Sequence, residues 1–111
     1  MTKANQNELE AAEANAGIPE DFSLFQNHPN PFNPETEIRF ALPQASHVVV
    51  KICNLLGEEI RLLVDEQRDA GYHRVRWDGK DKNGNAVASG VYLYQLQAGT
   101  FYEVKKMTLL R

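Results

Sequence analysis

Disulfides, long apolar runs and an excess of basic charge are all missing from this chain of 111 residues. The single cysteine, Cys53, rules out an internal disulfide. Flanked by Val50 and Ile52, it reads as a buried or half-buried strand residue rather than a reactive thiol. It therefore says nothing about compartment. No apolar stretch approaches the roughly 18–20 residues that span a bilayer, so membrane insertion is not expected. The first thirty residues lack a basic start followed by an apolar core, so no secretory signal is read there. If the protein is exported, its signal lies upstream in a longer parent. Twelve basic residues against 15 acidic ones leave a net charge of −3, which speaks against a nucleic-acid partner. At this length one domain with one core of modest size is expected, and a hydrophobic content of 42% is ordinary.

What is present divides near residue 21. Met1 to Asn15 is polar, rich in Ala, Glu and Asn, and free of aromatics. Leu9, Ala12 and Ala16 share one helical face, but the stripe is too thin to bury. Residues 1–21 thus read as a polar linker or frayed helix, ended near Gly17 and Pro19. A domain is expected over 22–111. It begins with a short apolar segment, Phe22 to Phe25, and continues through Asn27-His28-Pro29-Asn30-Pro31-Phe32-Asn33-Pro34. Proline fixes φ and pushes the residue before it to extended conformations. That segment should be a rigid extended strap, with Phe32 as its one anchor in the core.

Six strands are expected after the strap. Glu37–Leu42 alternates, with Ile38, Phe40 and Leu42 on one face and Glu37, Arg39 and Ala41 on the other. Val48–Asn54 turns Val48, Val50 and Ile52 inward, and Glu59–Val64 turns Ile60, Leu62 and Val64 inward. Tyr72–Trp77 places Val75 and Trp77 in the core and Arg74 and Arg76 outside. Val91–Ala98 sets Tyr92, Tyr94 and Leu96 against Leu93, Gln95 and Gln97. A tight turn at Ala98-Gly99-Thr100 leads to Phe101–Leu110. In this last strand Met107 and Leu109 share one parity while Val104 and Leu110 share the other. The conflict is resolved by a bulge near Lys105-Lys106 or by cover on both faces. Short strands with frequent turn signals and no amphipathic helix between them predict an all-β, antiparallel sandwich.

Chemistry is sparse. Asp81, Asn83 and Asn85 have the alternation of a calcium loop, but the sixth and twelfth positions hold Ala86 and Tyr92 instead of glycine and an acid. A turn built from residues that bond their own backbone is the simpler reading. No metal and no cofactor is therefore expected. His28 lies in the strap, His47 before a strand and His73 on an outward strand position, without the paired spacing of a zinc site. Asp65, Glu66 and Asp69 fall in a loop between strands, an exposed setting that raises no carboxyl pKa for glycoside hydrolysis. The serines lack a G-x-S-x-G context. No enzyme is read from this chain. An aromatic sugar-binding platform would need exposed rings, yet Trp77, Tyr92 and Tyr94 fall on core parity, leaving Tyr102 and Phe101 outside. Lys105 and Lys106 read in two ways. They guard an edge strand against pairing, or they form a positive docking feature beside the carboxy terminus.

Taken together the residues resemble a family. Asn30-Pro31-Phe32-Asn33-Pro34, Ile38-Arg39-Phe40-Ala41-Leu42-Pro43 and Val50-Lys51-Ile52-Cys53-Asn54-Leu55-Leu56-Gly57-Glu58-Glu59 are the first part of the match. Ala70-Gly71-Tyr72-His73, Trp77-Asp78-Gly79, Asn83-Gly84-Asn85, Ala88-Ser89-Gly90-Val91-Tyr92 and Lys105-Lys106-Met107-Thr108-Leu109-Leu110 complete it. This string, from about Phe22 to Arg111, resembles the C-terminal sorting domains of type IX secretion substrates. The branch is the one similar to the immunoglobulin-like domain of the flagellar hook-cap assembly protein. The resemblance implies an immunoglobulin-like β-sandwich of about seven strands that ends a larger secreted cargo protein of a Bacteroidetes-like bacterium. It implies passage through the periplasm, recognition by the outer-membrane type IX translocon, and removal by a sortase-like peptidase within Ala16 to Asp21. The cargo would then be released or attached at the cell surface. By the same analogy Gly90, Val91, Tyr92, Lys105, Lys106 and Leu109 are the recognition residues. The alternatives are a structural spacer or assembly module of a multidomain surface protein and, behind it, a carbohydrate-binding module.

Overall fold

In the computed structural model, residues 17–111 are described. The expected helical stripe through Leu9, Ala12 and Ala16 lies outside them. Seven strands follow in order: β1 Ser23–Leu24, β2 Thr36–Leu42, β3 Ser46–Cys53, β4 Glu59–Arg68, β5 Gly71–Trp77, β6 Gly90–Ala98 and β7 Phe101–Leu109. They form a three-stranded sheet, β1-β2-β5, and a four-stranded sheet, β4-β3-β6-β7, with every pair antiparallel. The two sheets pack as a sandwich, as the alternating pattern predicts.

The inner faces follow the period of two. Ile38, Phe40 and Leu42 of β2 meet Val48, Val50 and Ile52 of β3 and Tyr92, Tyr94 and Leu96 of β6, all within one buried cluster. Trp77 closes one end of it, its ring 5.7 Å from Phe32 and 5.5 Å from Tyr92. The indole N–H would be a buried orphan there, and it donates to the Lys80 carbonyl at 2.9 Å. Phe32 of the strap is buried in the core as expected, but the strap bends at residues 29–31 and 33–34 instead of running extended, and Asn27 is buried as well.

Five further expectations are corrected. Leu62 does not face inward. Val50 pairs with Val64 but Lys51 with Leu62, and Ile52 pairs with Arg61 but Cys53 with Glu59. Leu63 and Ile60 are therefore extra residues on β4, and each bulge reverses the parity that follows. Leu62 is left 42% exposed, while Leu63 and Ile60 pack partly against the core. The bulge expected at Lys105-Lys106 does not form either. β6 and β7 pair without interruption from Gly90 opposite Leu109 to Ala98 opposite Phe101. Val104 simply faces solvent on the outer face, and Leu110 lies beyond the strand, also exposed.

The third correction concerns the acidic loop. β4 runs through Arg68, so Asp65 and Glu66 belong to a strand. Asp65 lies 2.6 Å from His47, and Glu66 pairs with Arg68 at 2.8 Å. The fourth concerns His73, which shares the parity of Val75 and Trp77. Its ring stacks on the buried Phe40 at 5.3 Å and is half-buried. Phe101 likewise belongs to the inner parity of β7 and stacks on Phe22 at 5.3 Å.

Candidate functional site

The residues expected to be recognised converge where the chain ends. Gly90 pairs with Leu109, Val91 with Thr108 and Tyr92 with Met107. Segments that lie far apart in sequence thus become one ladder at one pole of the sandwich. Side chains then alternate across it. Tyr92, Met107 and Leu109 enter the core, whereas Val91 stays on the outer face, 38% exposed. The Tyr92 hydroxyl donates to the Ala88 carbonyl at 2.6 Å, fixing the loop that leads into β6. Burial raises the Tyr92 pKa above the ordinary tyrosine value, with the Arg111 charge opposing it.

Lys105 and Lys106 do not act as a pair. Being adjacent on a strand, they project from opposite faces. Lys105 points inward, its side chain only 13% exposed and 3.5 Å from the Glu103 carboxylate. Lys106 is exposed on the outer face opposite Leu93. Of the six residues named by analogy, Val91 and Lys106 offer side chains to a partner. Leu109 and Tyr92 support the ladder from within.

The place of the proline strap, along the outer edge of β7, is the part that sequence reasoning missed. β7 is the last strand of its sheet, so its outer edge would stand bare. Instead the Phe32 N–H donates to the Thr108 carbonyl at 2.9 Å, and the Leu110 N–H donates to the Phe32 carbonyl at 3.0 Å. Phe32 thereby bridges Leu109 in parallel fashion. The Asn30 side chain accepts from the Thr108 N–H, and Gln26 donates to the Lys106 carbonyl. A run of side chains and backbone from before β2 therefore occupies the place of an eighth strand. Nothing local in Asn30-Pro31-Phe32 marks which edge it meets.

Arg111 ties the end from the other side. Its backbone N–H donates to Ser89 Oγ, its Nε to the Val87 carbonyl at 2.6 Å and its Nη2 to the Gly79 carbonyl at 2.8 Å. Gly79 sits at φ 74° in a cradle where a Cβ would lie 2.9 Å from both Arg111 Nη2 and the Pro34 carbonyl. Only glycine suits both the conformation and the space.

The remaining candidates lie apart from this pole or serve turns. Asp81 Oδ1 accepts from the backbone N–H groups of Asn83 and Asn85 at 2.9 and 3.0 Å, and the Gly84 N–H donates to the Asp81 carbonyl. The three residues come together around that oxygen, which here serves the turn. Among the described residues, no three His, Cys, Asp or Glu side chains group so as to hold a metal ion. Also among them, no helix is long and apolar enough to cross a membrane. Cys53 is buried, with burial raising its thiol pKa. Trp77, Tyr92 and Tyr94 are buried, and Tyr102, 58% exposed, is the one Phe, Tyr or Trp ring among the described residues that is largely exposed.

Fold and terminal ladder define the molecule as an immunoglobulin-like antiparallel sandwich module whose own chain end is built into its sheet. Its family follows from the sequence match: residues 29–100 correspond to the FlgD Ig-like domain, and the chain belongs to that family. No curated protein matches it. Among solved structures it is similar to dimeric latent PorU from Porphyromonas gingivalis, with a TM-score of 0.63 at 18% identity. That match covers 84% of this chain and 10% of PorU. PorZ, an essential surface component of the type IX secretion system of the same bacterium, matches with a TM-score of 0.51 at 23% identity. Here 83% of this chain and 12% of PorZ are covered. FlgD from Xanthomonas campestris, a hook-capping protein of flagellar assembly, gives 0.54 at 23% identity over 90% of this chain and 72% of its own. At these identities the likeness is one of fold. The chain spans about a tenth of PorU and about an eighth of PorZ.

Proposed function

We propose that this domain is a C-terminal sorting signal that directs an upstream cargo protein across the outer membrane by type IX secretion. The partners are the translocon and a sortase-like peptidase, and the cargo is carried from the periplasm to the cell surface or medium. The observation that carries the reading is the terminal ladder. Gly90–Tyr92 and Met107–Leu109 pair at the chain end, with Val91 and Lys106 on the exposed face beside it. A receptor meeting this pole finds Val91 and Lys106 held on an ordered β6–β7 ladder. Resemblance in fold to domains of PorU and PorZ supports the same reading.

The family match itself favours a second reading. The FlgD Ig-like domain is also compatible with a structural spacer or assembly module that makes no special use of its terminus. Deleting Lys105–Arg111 cannot separate the two, because it removes Met107 and Leu109 from the core. Surface changes can. The full chain is fused behind a signal peptide and a fluorescent protein in a bacterium with a working type IX system. Lys106→Glu and a short polar extension after Arg111 are compared with the parent. The sorting reading expects parent fluorescence outside the cell and periplasmic retention of both variants, with unchanged melting temperatures. Retention of the folded parent sinks that reading, and equal export of all three removes the proposed role of the terminus.

A further inference from the structure

The outer edge of β7 is divided. In an antiparallel strand alternate residues turn both backbone groups to the same side. The strap's bonds to Lys106, Thr108 and Leu110 identify the even-numbered residues as those facing away from β6. The hydrogen bonds described along this edge end at the Lys106 carbonyl. Before it lie Tyr102 and Val104, 58% and 37% exposed. An unpaired edge is a template for another strand. We infer that Tyr102–Lys106 is a self-complementary edge on which a second copy of this chain pairs its own β7, antiparallel, about a two-fold axis at Val104.

Register singles out that axis. A two-fold pair sets one residue opposite itself. An axis at Glu103 or Lys105 would place like charges face to face, which destabilises a strand pair. An axis at Tyr102 sets Glu103 against Phe101 of the second copy and adds no ion pair between the two strands. An axis at Val104 sets Glu103 against Lys105 of the second copy, and Tyr102 against its Lys106. Within one chain Lys105 already lies 3.5 Å from Glu103. The inner face of the joined strands would then carry a checkerboard of alternating charge. The exposed Tyr102 ring would take the exposed Lys106 ammonium on the outer face. The Val104 N–H and C=O would pair with their counterparts, and the Lys106 N–H with the Tyr102 carbonyl of the second copy.

Sterics agree. Opposite Thr108 of the second copy falls Thr100, which lies in the turn after β6. The chain therefore bends away before it reaches the Asn30 and Phe32 contacts at Thr108, and at Lys106, whose carbonyl already accepts from Gln26, the second copy takes only the N–H. Inward charges and lysines on an edge ordinarily deter pairing. Here they deter apolar or like-charged strands while matching the chain's own sequence, Tyr-Glu-Val-Lys-Lys read in both directions. The result would be a continuous eight-stranded sheet across two molecules.

Sedimentation and native mass spectrometry of the full chain over a concentration series test this. A reversible dimer is expected. Val104→Pro removes the outward N–H at an edge position where proline is accommodated, and it should be monomeric with an unchanged strand signal in circular dichroism. Glu103→Lys and Lys105→Glu should each weaken association by about tenfold or more. Mixed together, they should form a one-to-one heterodimer, since each then meets its opposite charge. A parent that stays monomeric to about 1 mM, a dimer that survives Val104→Pro, or a failure of the two folded charge variants to pair overturns the inference.

Discussion

At the scale of single residues, Tyr94 shows how one buried polar atom organises distant chain. Its hydroxyl accepts from the Asn27 N–H at 2.9 Å and donates to the Phe25 carbonyl at 2.8 Å, fastening the start of the strap to β6. Tyr94→Phe leaves both backbone groups without that partner and should cost about 1–3 kcal/mol, read from urea denaturation. Burial drives the Tyr94 pKa far above its usual value; the Asn27 hydrogen bond opposes this and Glu103 adds to it. Above the ordinary tyrosine pKa of about 10 the unfolded chain loses a proton that the folded one keeps. Rising pH therefore favours unfolding, and melting temperature should fall beyond that point. The Tyr94→Phe variant should show a shallower alkaline decline. Gly79 is the second such residue. Gly79→Ala forces a Cβ into the Arg111 and Pro34 cradle at a left-handed φ and should cost about 1–3 kcal/mol.

At the scale of elements, β4 and the strap depart furthest from a regular ladder. The two bulges in β4 separate residues that local alternation would group together. Leu62→Thr should change stability by no more than about 0.5 kcal/mol, because the side chain already meets water. Val64→Ala, two positions on and 4% exposed, should be clearly destabilising in the same assay. Phe32 is the strap's apolar anchor, being 2% exposed and doubly bonded to β7 through its backbone. Phe32→Ala should cost about 3–5 kcal/mol. Amide exchange at Thr108 and Leu110 should accelerate with it, since those two N–H groups depend on the strap. Little change at these amides would mean that the edge is protected by something other than the strap.

For the whole molecule, the chain end is a structural part of the sandwich as well as its proposed signal. Met107 and Leu109 lie in the core cluster, Leu110 and Thr108 bond the strap, and Arg111 clasps the loop before β6. Truncation before Lys105 should abolish the cooperative thermal transition, whereas removal of Arg111 alone should lower the melting temperature and leave the fold. Calorimetry on the two truncations distinguishes them. The same entanglement constrains any receptor. It must read outward groups such as Val91 and Lys106, or else undo part of the domain to reach Leu109.

How much of this was legible beforehand depended on the range of the force involved. Alternation within Ile38-Arg39-Phe40-Ala41-Leu42, and in the strand that carries Tyr92, Tyr94 and Leu96, is a local consequence of the two-residue period. The sequence by itself therefore determined six of the seven strands, the inner faces of β2, β3 and β6, the burial of Trp77 and the sandwich. Turn chemistry was equally local at Asp81 and at Gly99. Only the tertiary structure decided that β4 is bulged, that β7 runs through Lys105-Lys106 without a bulge, and that the strap covers part of the β7 edge. The strap's place rests on backbone hydrogen bonds between segments far apart along the chain, from the Phe32 N–H to the Thr108 carbonyl and from the Leu110 N–H to the Phe32 carbonyl. Every residue carries the same backbone donor and acceptor, so no side-chain pattern announces which of them will meet.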